Sequence, residues 1–147
     1  MTPLERGLQL ARGLILENAD HTDAPSEPFA RAGQGFACMD VELGRWFGAE
    51  GYELMVARAV GFSRGLHPLL DRFRGRAFTS KPLSHLHEQL SDVPGDEAAD
   101  ALVQLLATFI ALLDRLVGAD LAARMITQTW WNGAGGSPPP TESRTCT

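Results

Sequence analysis

Histidine is the side chain most ready to bind a metal or carry a proton near neutral pH, and this 147-residue sequence holds four of them. His85 and His87 form a His-x-His pair. On a helix two such side chains project about 200° apart, so they cannot converge on one ion unaided. His85 and Glu88 share a face, but di-iron bundles use Glu-x-x-His twice with further glutamates, and that set is missing. His87 falls on one helical face with Leu83, Leu86 and Leu90, the pattern of a histidine at the core's edge with one nitrogen satisfied. His67 stands directly before Pro68. Proline suits a helix's first turn, so His67 reads as a cap rather than a phosphoacceptor. His21 is alone in a loop. No metal or cofactor is expected.

Nucleophilic chemistry finds little support. There is no Gly-x-Ser-x-Gly elbow, and neither Cys38 nor Cys146 has a histidine close in sequence. Gly33-Gln34-Gly35 is a joint rather than a phosphate-binding loop. No catalytic residue is assigned. The two cysteines suggest neither a disulfide framework nor a metal site, so a reducing, cytoplasmic setting is the expectation. The amino terminus lacks the layout of an export signal. The strongest apolar run, 101–113, is too short for a bilayer span of about 20 residues.

Charge is unevenly distributed around a formal net of −5. Between positions 58 and 81 lie Arg58, Arg64, Arg72, Arg74, Arg76 and Lys81 against the single acid Asp71. Positions 82–120 reverse this, with seven acids against Arg115. The basic segment is the candidate interaction surface. Its simplest use is pairing with the acidic segment, within the chain or across a dimer. The acidic net charge and the lack of a helix-turn-helix layout make nucleic acid an unfavoured partner.

The elements that must position these residues all read as helices. Thr2, Pro3 and Glu5 form a capping box, followed by Leu4, Leu8, Ala11 and Ile15 at helical spacing out to about Asn18. Positions 20–34 read as a connecting loop. Phe36, Met39, Leu43 and Phe47 mark a helix ended by Gly48, with Asp40 on its wet side. Tyr52, Val56, Ala59, Val60 and Ser63 mark the next, broken at Gly65. A short helix restarts at Leu66-His67-Pro68. Ser80 caps another, and Val93-Pro94-Gly95 is a turn.

With Asp96 as N-cap, positions 98–117 form the longest apolar helix. Only Asp100, Gln104, Thr108 and Asp114 supply a wet stripe, so this helix should be central. After Gly118 a last helix runs from Ala119 to Trp131, with Leu121, Met125 and Trp130 on its apolar side. The expectation is one all-α domain over 1–131, an antiparallel bundle of six or seven helices. A disordered tail rich in Gly, Pro, Ser and Thr follows over 132–147.

The segment ALVQLLATFIALLDRLVGADLAARMITQTW resembles a pattern in small uncharacterised bacterial helical proteins. It joins a long apolar helix, a Gly-x-Asp-Leu-Ala turn and a short helix ending at tryptophan. Gly118, Asp120, Leu121, Arg124 and Trp130 carry the resemblance, which reaches back through FGAEGYELMVARAVGFSRGLHP. It implies a bacterial cytosolic helical protein and brings no activity.

Two functions follow as expectations. One is a non-enzymatic interaction module that dimerises or docks to a larger signalling or regulatory protein, because one helix is too apolar for a single bundle face. The other is a small-molecule binder or enzyme with a pocket between helices, for which Tyr52, His87, Arg124 and Trp130 are the candidate lining.

Overall fold

In a computed structural model, residues 2–17, 27–73 and 82–132 are described, the last two without their side chains. Six α-helices account for most of them: α1 (Pro3–Arg12), α2 (Pro28–Phe47), α3 (Ala49–Ser63), α4 (Pro82–Glu88), α5 (Gly95–Val117) and α6 (Ala119–Asn132). A π turn, Gly13–Glu17, extends α1, and a 3₁₀ segment, Pro68–Phe73, follows α3. There is no strand among the described residues. The all-α fold is as the sequence implies. Beyond Asn132, the tail lies outside the described residues, as does Ser80 with its expected capping role.

Local sequence accounts for several element ends. Thr2 Oγ1 accepts from the Glu5 amide at 3.1 Å, and Glu5 accepts from the Thr2 amide at 2.8 Å. This reciprocal box occupies two amides that an α-helix leaves unbonded at its start. His67 Nδ1 accepts from the Leu69 amide at 3.2 Å, so His67 does cap the segment that Pro68 opens. Gly48 and Gly118 adopt φ of 80° and 93°. That left-handed region is open to glycine at little steric cost, and it lets α2 turn into α3 and α5 into α6.

Helix α5 is the centre. Thirteen of its residues are buried, from Ala98 to Asp114, and it packs against α1, α2, α3 and α6. The expected wet stripe is narrower than the sequence suggests, because Thr108 and Asp114 are buried. Thr108 Oγ1 donates to the Gln104 carbonyl one turn back at 2.9 Å. Asp114 is held by Arg6 of α1 at 2.8 Å.

Two glycines set how closely helices approach. A Cβ at Gly7 of α1 would overlap the Ala107 carbonyl of α5, and one at Gly35 of α2 would run into the Trp130 ring of α6. The composition cost of glycine within a helix is thus offset by close packing.

The structure corrects four local expectations. Positions 28–34 are helical rather than loop. Pro28 supplies a fixed φ at the first helical position, and buried Arg31 and half-buried Phe29 anchor this turn. Asp96 does not cap α5, which starts at Gly95 with Pro94 in the capping position and no side-chain bond. Leu121 is exposed rather than on the packed side of α6. Cys38 is fully buried and disulfide-bonded, against the expectation of two unbridged cysteines, and its partner lies outside the described residues.

Gly7→Ala is expected to destabilise by about 1–3 kcal/mol, the usual cost of overpacking. At Gly61 of α3 an added Cβ meets nothing within 4 Å, so Gly61→Ala should stabilise by about 0.5–1 kcal/mol. Urea unfolding of the two variants checks this, and a Gly7→Ala protein as stable as the parent would refute the close α1–α5 approach.

Candidate functional site

The polar groups with the most perturbed surroundings lie inside the bundle, where α2, α3 and α4 meet. Asp40 of α2 was expected on the wet side, yet it is only 5% exposed. Its Oδ1 accepts from Tyr52 Oη at 2.6 Å and from the Leu83 amide at 3.1 Å, while Oδ2 accepts from the Ser84 amide at 2.9 Å. A carboxylate from α2 thus performs the N-cap role for α4, supplying acceptors to amides that its first turn cannot bond internally. Burial raises the Asp40 pKa, and the Tyr52, Ser84 and Leu83 donors hold it back. Tyr52 is raised well above its usual 10.0, by burial first and then by the charge of Asp40.

His87 bridges the opposite end of α4 to α2. Its Nε2 lies 2.8 Å from the Phe29 carbonyl, and because a carbonyl only accepts, Nε2 carries the proton. The ring stacks on Phe29 with centroids 4.0 Å apart and planes inclined by 17°. Gly33 leaves room for it, since a Cβ there would stand 2.6 Å from the imidazole. Burial lowers the His87 pKa against the opposing pull of the Phe29 carbonyl and Glu88. This is the core-edge histidine that the leucine face implied.

Arg31 does comparable work at the end of α1. Nε and Nη2 both donate to the Ile15 carbonyl, at 2.9 and 2.7 Å. A guanidinium placed there meets the partial negative charge of a helical C-terminus.

The four residues proposed to line a pocket are occupied separately. Tyr52 is spent on Asp40, and its ring meets Phe109 edge-on at 6.1 Å. Trp130 is 1% exposed and T-shaped against Phe36. His87 sits on Phe29, and Arg124 is exposed on α6. Among the basic residues, Arg72 bonds Asp92 at 3.1 Å and the Gln89 carbonyl at 3.3 Å, which joins the basic segment to the acidic one. Arg58 is exposed and Arg64 half-buried, while Arg74, Arg76 and Lys81 lie outside the described residues.

Outside the core, one feature among the described residues with room for a partner is a groove between the start of α1, the end of α3 and the last turns of α5. It encloses about 480 Å³ and is lined mainly by apolar groups, among them Leu4, Phe62, Leu66, Ala111 and Leu112. Phe62 is 65% and Leu66 42% exposed, unusual values for large apolar side chains beside a cavity. Among the described residues of the lining, Arg115 is the only ionisable side chain. Sequence reading assigned Leu66 to a helix start and passed over Phe62. The signal was there: Leu54, Arg58 and Phe62 recur every four residues on the side of α3 opposite its core face.

Among the described residues, no three His, Cys, Asp or Glu side chains are grouped to hold a metal ion, and no helix is long and apolar enough to cross a membrane. No protein-family model, curated protein or solved structure matches this chain.

Tyr52→Phe should cost about 1.5–3 kcal/mol, the range for a hydrogen bond to a charged group, as read from urea unfolding at neutral pH. A cost below a few tenths would show that Asp40 does not depend on the phenol. For His87, the unfolded imidazole titrates near 6.5 and the folded one lower. As pH falls below 6.5 the unfolded state therefore takes up a proton that the folded state refuses. Stability should drop through that window and stop responding to His87 below its folded pKa. His87→Gln should flatten this part of the profile, and the His87 ring signal in NMR should titrate with a midpoint below 6.5. A midpoint above 6.5 would reverse the sign.

Proposed function

We propose that this chain is a non-enzymatic helical interaction module that docks a helical segment of a partner protein in the groove formed by α1, α3 and α5. The observation that carries the proposal is the exposure of Phe62 and Leu66 beside an open apolar volume of about 480 Å³. Thirteen residues of α5 are buried by its own chain, whereas Ala111 and Leu112 stay only partly covered where they line this groove. Apolar grooves of this form receive the apolar face of an amphipathic helix, whose side chains at i, i+3, i+4 and i+7 fill them.

The interior supports the same reading. Asp40, Tyr52 and Arg31 are consumed by bonds that join helices, which leaves them as structural ties rather than as groups facing a substrate. A pocket built on Tyr52, His87, Arg124 and Trp130 has less behind it, since Tyr52 and Trp130 are sealed in the core while Arg124 is exposed on α6.

Site-specific photo-crosslinking in the native cell tests the proposal. A photoreactive residue at position 62 or 66 should give a discrete adduct with a protein partner. The same residue at Gln128, exposed on α6, should not. Absence of adducts at 62 and 66, or an equal yield at 128, would refute docking at this groove.

A further inference from the structure

The groove's charge says what kind of helix it takes. Arg115 lines it, and among the described residues Arg115 has neither an ion pair nor a side-chain hydrogen bond. The exposed stripe of α3 that leads into the groove reads Leu54, Arg58, Phe62, one residue per helical turn, with a second unpaired cation between two apolar side chains. Successive positions on such a stripe are about 6 Å apart, the spacing at which a partner helix repeats its own side chains. Arg64 follows Phe62 at the end of α3, and its Nε is buried without a hydrogen-bond partner.

The acids nearby are engaged or displaced. Glu5 is bonded to Thr2, and Asp114 is held by Arg6. Glu50 is exposed and opens the same α3 stripe one turn before Leu54, three turns from Phe62 at the groove, and Glu53 is half-buried in the first turns of α3. A chain of net charge −5 therefore presents an apolar groove whose described lining holds Arg115 as its ionisable group, with Arg58 one turn from Phe62 at its edge.

We propose that the occupant is an acidic amphipathic helix of a partner protein: apolar side chains fill the groove, and flanking carboxylates meet Arg58 and Arg115. This rests on the docking reading above and specifies the chemistry of its partner. A second copy of this chain fits less well. A two-fold contact on this face would bring the same arginines together, and the lining offers no acid in return.

Fluorescence anisotropy with the full chain tests the charge assignment. Three labelled synthetic helices share one Leu/Phe face and differ only at the flanking positions, which are Glu, Gln or Lys. The Glu peptide should bind about tenfold tighter than the Gln peptide, as expected for two or three exposed ion pairs, and the Lys peptide weakest. The gap should close as salt rises from about 0.05 to 0.5 M. Arg58→Glu combined with Arg115→Glu, both exposed positions, should invert the order while the chain keeps its helical circular-dichroism spectrum at the assay temperature. Phe62→Asp should abolish binding of all three.

Equal affinity for the Glu and Gln peptides, both lost in Phe62→Asp, would overturn the acidic assignment and leave docking intact. Glu-peptide binding that survives Phe62→Asp would place the contact elsewhere and overturn the proposal. Failure of every peptide to bind would overturn it too, with the crosslinks at 62 and 66 then deciding docking separately. A concentration-dependent dimer in sedimentation equilibrium, abolished by Phe62→Asp, would overturn it in favour of a second copy.

Discussion

Helix α5 carries apolar side chains around most of its circumference, and water has to be removed from several sides of it at once. No single neighbour can do that, so α1, α2, α3 and α6 all pack on it. The approach of α1 depends on Gly7 lying against the Ala107 backbone, and that of α3 brings Tyr52 edge-on to Phe109. The surrounding helices leave parts of α5 uncovered, among them the strip at Ala111, Leu112 and Arg115, bordered by Phe62 and Leu66. The groove is thus a consequence of how α5 is covered. It is the gap between two helices that reach it from different directions.

Several charged groups inside the bundle tie one helix to another. Asp40 and Arg31 sit where a segment needs an acceptor or donor that its own local sequence does not supply. Helix α4 is seven residues long, too short to be stable alone, and Asp40 on α2 supplies acceptors for its first amides. The π turn at the end of α1 leaves the Ile15 carbonyl to Arg31. Asp114, deep on α5, is neutralised by Arg6. In the interior an unpaired polar group is costly, so these ties specify which helices neighbour each other as well as adding stability. Burial still leaves its mark, since Asp40 is harder to ionise and His87 harder to protonate than in water.

The opposed charge of the two central segments has two outcomes. One basic residue closes on the acidic segment, as Arg72 does on Asp92 across the surface. Others stay without a partner beside apolar side chains, as Arg58 does on α3 and Arg115 on α5. An exposed pair such as Arg72–Asp92 contributes little to stability. The unpaired arginines matter for what approaches from outside, because their charge lies next to surface that a partner can desolvate.

Local sequence specifies the helical class, the capping box at Thr2 and Glu5, the cap at His67, the turns at Gly48 and Gly118 and the central place of α5. These are properties of neighbours within a few residues, and local hydrogen bonding and the 3.6-residue period decide them. It also marked His87 as a core-edge histidine, because its leucine companions lie on the same short helix. Long-range packing makes positions 28–34 helical, buries Asp40 and Arg31, and spends Tyr52 and Trp130 in the core. Partners 12 to 94 residues away in the chain make those choices, and no local pattern records them. The groove belongs to the same class. Leu54, Arg58 and Phe62 are legible as a stripe on α3, but whether a stripe is covered or open depends on where α1 and α5 come to rest, which is settled by packing rather than by periodicity.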